Sequence, residues 1–196
     1  WHRYLVCRRC CCIMLNTIAG LLGDGVPVSL TDFESIATAT PSGTSSITFS
    51  SIPSTYSHLQ IRASLVNASN GGTMRGRFNG VTSNLYGEHY LEGSGSTVTA
   101  GADSSQTYMY LAYITTGAVN SSSNAAAFIM DVLDYANTNK NKTVRVLAGS
   151  DNNTTNGTIN FISSLFRDTT AISSLTLDMS GINFSAGTTF ALYGIK

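Results

Sequence analysis

The chain has 196 residues, 42% hydrophobic and 11% charged, with eleven bases balancing eleven acids. A chain this long buries roughly 70% of its unfolded surface, so one all-β core can form without disulfides. The hydrophobic share excludes a disordered chain, and zero net charge gives no steering toward nucleic acid or an anionic membrane surface. The charged share is less than half the usual ~25%, while Ser and Thr reach roughly a quarter of all residues. Polar faces built from hydroxyls suit β-structure, and they are less costly to bury against a neighbour than charged ones.

The balance of charge is uneven along the chain. Arg3, Arg8 and Arg9 lie in the first nine residues, where there is no acid, leaving eight bases against eleven acids in the rest. A basic arm and a mildly acidic body are therefore expected, with the arm able to reach a neighbour's surface. All four cysteines fall in one run, Cys7, Cys10, Cys11 and Cys12. A disulfide scaffold would spread them through the fold, and zinc would need a second ligand pair that does not follow. No run approaches the ~20 apolar residues of a membrane span. The apolar segment Leu15–Leu22, with Ile18, Leu21 and Leu22 beside Leu15, reads as the contact stretch of an N-terminal arm over residues 1–25.

From residue 26 to 196 the pattern is a single antiparallel β-sandwich, jelly-roll-like, with about ten strands and no sustained helical period. Val26–Thr31 and Phe33–Thr40 open it, followed by Ser46–Ile52 after a Pro-Ser-Gly turn. In Ser57–Asn67, Leu59, Ile61, Ala63 and Leu65 alternate with His58, Gln60, Arg62 and Ser64, which places one face in the core. Thr73–Phe78 is framed by Asn70-Gly71-Gly72 and Asn79-Gly80, both tight-turn signals. Leu85–Leu91 and Thr107–Thr116 follow, and the Gly-Ser-Gly-Ser run within Glu92–Ser105 reads as the longest loop. Five stretches complete the chain: Ala125–Tyr135, Thr143–Gly149, Gly157–Phe166, Ile172–Met179 and Thr188–Ile195.

Little in this sequence points to catalysis. Glu88 and Glu92 share a strand face with His89 opposite, but four residues on a strand put them roughly 13 Å apart. That exceeds the ~5–9.5 Å of glycosidase pairs, so a solvated strand face is the plainer expectation. Asp131 and Asp134 are three apart and face opposite ways. No phosphate loop, nucleophile elbow or dinucleotide fingerprint is present, and no cofactor or metal is expected. Arg75 and Arg77 share a face that could bind an acidic group, but a solvated pair or a cross-strand ion pair with Glu88 or Glu92 is the more ordinary expectation. Tyr108, Tyr110 and Tyr113 could form a stacking platform for sugar rings.

Three segments carry a resemblance. Asp131–Arg145 (DVLDYANTNKNKTVR), the closing strand Phe190–Lys196 (FALYGIK) and Phe49–Arg62 (FSSIPSTYSHLQIR) resemble a tailed-bacteriophage, cyanophage-like family of virion structural proteins of β-sandwich type. The resemblance spans most of residues 26–196 and has no counterpart for residues 1–13. It implies a non-enzymatic particle protein with no nucleic-acid or membrane partner. The reading it favours is a capsid cement or decoration protein on the head exterior, bound to the major capsid protein or another virion protein and trimeric or seated at a three-fold position. The alternative is a tail or fibre module that recognises host surface glycans through Tyr108, Tyr110 and Tyr113.

Overall fold

The computed structural model describes residues 32–66, 71–114, 124–151 and 157–196. The arm over residues 1–25, with its candidate contacts from Arg3 to Leu22, and the strand expected at 26–31 lie outside the described residues. Phe33–Lys196 forms one compact unit. Its strands in chain order are β1 (Phe33–Ala39), β2 (Ser46–Phe49), β3 (His58–Leu65), β4 (Gly72–Phe78), β5 (Tyr86–Ser94) and β6 (Thr97–Gln106). They continue with β7 (Met109–Ile114), β8 (Ala126–Leu133), β9 (Lys142–Ser150), β10 (Thr158–Phe166), β11 (Leu175–Asp178) and β12 (Thr189–Ile195).

Two antiparallel sheets pack as a β-sandwich. The larger runs β1-β12-β3-β8-β9-β10-β5-β6, and the smaller runs β2-β11-β4-β7. Strict alternation builds the large sheet's inner face: Met130, Val146 and Ile162 stand directly opposite one another across β8, β9 and β10, all buried. Met74, Phe78, Leu111, Leu175 and Leu177 supply the facing layer from the small sheet. Across the interface Phe78 meets Phe166 at 5.5 Å between ring centres, and Tyr86 stacks on Phe166 at 4.8 Å. The Tyr86 hydroxyl also accepts from the Phe78 backbone N–H and donates to the Val81 carbonyl, tying the Asn79-Gly80 turn to the large sheet. That turn has φ of 51° at Asn79 and 67° at Gly80, the conformation its sequence predicts.

The longest expected loop is a strand. β5 continues through Ser94, the chain turns at Gly95-Ser96, and β6 returns antiparallel from Thr97 to Gln106. β6 is an edge strand with most of its residues exposed, so it shows no apolar alternation. Its small residues read as a linker, and its structure comes from pairing with β5.

The sheets are unequal, eight strands against four, and β7 is the edge of the smaller one. β7 packs over β10 and the flanks of β9 and β5. The inner side of the β5–β6 hairpin therefore extends past the edge of its cover.

Among the described residues three acidic or basic side chains are buried, Glu88, Asp178 and Lys142. Lys142, at the start of β9, is fully enclosed, and its ammonium donates to the carbonyls of Asn137, Lys140 and Thr169. It thereby closes the turn after β8 onto the segment after β10. Burial lowers its pKa, partly offset by Asp168 and Asp134. Lys142→Met keeps the stem but leaves the carbonyls without their donor, and it should cost about 2–4 kcal/mol. A urea midpoint equal to that of the parent chain would show that the ammonium does not hold this turn.

Candidate ligand cleft at the edge of the small sheet

A β-bulge in β7 shapes the site. Arg75 pairs with Tyr110 and Met74 with Ala112, so Leu111 is the extra residue. Leu111 and Ala112 both go inward, and Tyr113 returns to the outward side that Tyr110 occupies. Unbroken alternation would have sent Tyr113 away from Tyr108 and Tyr110. The bulge brings all three to one cleft.

The outer edge of β7 has no strand beside it, yet its polar groups are satisfied. Asn160 accepts from the Tyr113 N–H at 3.0 Å and donates to the Tyr113 carbonyl at 3.0 Å, joined there by the Thr158 hydroxyl at 3.2 Å. The Ser164 hydroxyl donates to the Tyr110 carbonyl, and the Tyr110 N–H donates to the Glu88 carboxyl. These partners are buried residues on the inner faces of β5 and β10. Side chains of one sheet thus take the place of a neighbouring strand in the other.

Between β7 and the β5–β6 hairpin lies an open cleft of about 570 Å³. Glu88, Tyr90 and Glu92 of β5 line one wall, Thr99, Asp103 and Gln106 of β6 the next, and Tyr108, Tyr110 and Tyr113 the third. Tyr90 lies across Gly101, where an added Cβ would collide with its ring and hydroxyl. The Tyr90 and Tyr110 rings meet edge-on at 5.5 Å, and the Tyr110 hydroxyl donates to Glu92 at 3.0 Å. Burial and the Glu92 charge push the Tyr110 pKa far up, so this hydroxyl stays protonated.

Arg75 and Arg77 correct an expectation. They pair with Asp178 of the adjacent β11, at 2.5 and 2.9 Å, and not with Glu88 or Glu92. Their register opposite β11 puts that carboxylate between them. The guanidinium groups lie 5.0 and 5.6 Å from the centre of the Tyr108 ring and brace it from outside the cleft.

Glu88 is the second correction. The expected solvated face is an inner one, and Glu88 is only 4% exposed. Its position two residues from the fully buried Tyr86 is the sequence signal that was available. Its Oε2 has no hydrogen-bond partner among the described residues. Burial raises its pKa to about 7, helped by the Asp103 charge and opposed by the Tyr110 N–H.

The other candidates do not assemble. His89 faces outward, away from Glu88. Asp131 is bound by Gln60 and lies near Arg145, while Asp134 binds Lys140. Among the described residues no group of three or more His, Cys, Asp or Glu is placed to hold a metal, and no helix is long and apolar enough to cross a membrane.

A second feature lies on the outer face of the large sheet. Ile129, Leu147, Phe161 and Leu91 stand directly opposite one another in turn across β8, β9, β10 and β5. The adjacent row ends in Ile159, Gly93 and Val98. Leu91, Val98, Ile129, Leu147, Ile159 and Phe161 are between 41% and 72% exposed. On the other side of the apolar rows, Asp131, Arg145, Ser163 and His89 form a polar row.

No family model and no curated protein matches the chain. A crystal structure of a protein of unknown function from Shewanella oneidensis MR-1 aligns with 84% of this chain and 76% of its own, at 9% identity and a TM-score of 0.20.

The Glu88 carboxyl sets a pH dependence. Its folded pKa lies above the ordinary value of 4.5, so its contribution to stability is complete below that value and is lost as pH rises through about 7. Urea unfolding should show the fold less stable at pH 8 than at pH 5, by on the order of 2 kcal/mol from this group. Glu88→Gln should flatten that difference. An identical pH profile in parent and variant would show that Glu88 does not titrate in this range.

Proposed function

We propose that the chain is a non-enzymatic structural protein of a tailed-phage particle, a cement protein on the capsid exterior that stabilises the head shell. The observation that carries the reading is the exposed apolar face of the large sheet, with the polar row Asp131, Arg145 and His89 at its margin. Apolar rows that cross four and three strands are a liability on a free particle surface and a natural contact for a flat partner. The occupant proposed is the major capsid protein of the shell. The resemblance of Asp131–Arg145 and Phe190–Lys196 to virion proteins supports the same reading. The low charge of the chain limits repulsion between many copies set side by side, as in a trimer at a three-fold position.

Quantitative gel analysis of purified particles should find hundreds of copies of the chain. A few to tens would instead favour the tail or fibre module. The surface variant Leu147→Ser with Phe161→Ser should retain the far-ultraviolet dichroism and melting temperature of the parent but lose association with particles. Full occupancy by that variant would exclude the sheet face as the contact. Removing residues 1–25 in a parallel sample tests whether the arm anchors the chain.

A further inference from the structure

We propose that the cleft between β7 and the β5–β6 hairpin binds an uncharged, polyhydroxylated ligand, a neutral hexopyranose chain, through Glu88 and Glu92 and the rings of Tyr108 and Tyr113. The inference does not rest on the position of the protein in a particle, and it stands whether or not the outer sheet face docks to a shell.

Three features of the cleft converge on this ligand class. The first is the unpartnered Oε2 of Glu88. Glu88 lines the cleft with its Oε2 buried behind the wall, and a buried carboxyl oxygen without a partner is costly. Once a turn of the Glu88 side chain brings this oxygen to the cleft, a ligand hydroxyl relieves it in either protonation state, since a hydroxyl both donates and accepts.

The second is the set of tyrosine rings. Tyr108 is braced from behind by two guanidinium groups, and Tyr113 is 37% exposed. The electron-rich faces of such rings suit the C–H edges of a pyranose. Tyr90 and Tyr110 pack on each other below, with Tyr90 seated over Gly101. The aromatic lining is therefore set before a ligand arrives, which reduces the ordering cost of binding.

The third is charge. Glu88, Glu92 and Asp103 line the cleft, and among the described residues no cationic side chain does. Sulfated, phosphorylated or uronic sugars are repelled by such a wall. A cation is drawn to it, but the Tyr110 hydroxyl already occupies Glu92, and burial opposes charge at Glu88. The buried end of the cleft thus offers hydrogen-bonding groups more than an ion-pair partner. Its volume of about 570 Å³ falls within the range of small-molecule sites.

Isothermal titration of the full chain tests this directly. The probes are hexamers of glucose, mannose, galactose and N-acetylglucosamine, a hexamer of galacturonic acid, and tetramethylammonium chloride. At least one neutral hexamer should bind with a Kd below about 1 mM, and the galacturonic hexamer should not. Tyr113→Ala, an exposed position, should weaken that binding about tenfold, and Glu88→Met at least as much. Tyr193→Ala, on the opposite side of the large sheet, should leave it unchanged. Urea midpoints of each variant separate lost binding from lost folding, and Tyr113→Ala decides if Glu88→Met does not fold. Four results would overturn the proposal: no binding by any neutral hexamer at 10 mM (about ten times the expected Kd limit), binding of the acidic hexamer alone, binding of tetramethylammonium alone, or neutral binding insensitive to Tyr113→Ala.

Discussion

The free edge of β7 governs much of the architecture. A strand edge carries unpaired N–H and C=O groups, and in a sandwich interior they must be satisfied or the edge will open. Here Asn160 meets both polar groups of Tyr113, while Ser164 and Glu88 meet those of Tyr110. The arrangement needs polar residues at positions of β10 and β5 that alternation assigns to the core. It also locks the small sheet at one lateral position over the large one, because the amide of Asn160 must align with a single residue of β7.

The site follows from that lock. With β7 held over β10, the β5–β6 hairpin projects beyond its cover, and the inner face of β5 passes from buried to open within a few residues. Tyr86 is core, Glu88 caps β7, and Tyr90 and Glu92 line the cleft. One strand face thus serves packing, edge satisfaction and ligand exposure in succession. Glu88 stands at the transition, buried by its role at the edge and left with one oxygen unpartnered among the described residues.

The two faces of the large sheet divide the chemistry. The cleft is acidic and aromatic and lies on the inner side, whereas the outer side carries an apolar band across its central strands. A flat apolar surface and a concave polar one suit different partners, and they can be occupied together.

Much of this fold was legible in the residues. Two-residue alternation in Ser57–Asn67 and in the strands after Ala125 determined which side chains enter the core, because the pleat allows only two directions. The Asn79-Gly80 turn was equally explicit, since its dihedral angles demand those residue types. The β6 strand was not legible. Small polar residues on an exposed edge carry no periodic signal, and only the partner β5 makes them a strand. The site was half legible. Tyr108, Tyr110 and Tyr113 stood out by type, but their common face depends on a bulge created by the pairing of β7 with β4. The burial of Glu88 and the choice of Asp178 as the partner of Arg75 and Arg77 likewise depend on which strands become neighbours. By itself the sequence determined the strands with apolar alternation, the inward faces and the tight turn, which follow from local geometry. The tertiary structure alone decided the edges, the bulge and the cleft, because these arise where residues far apart in the chain meet.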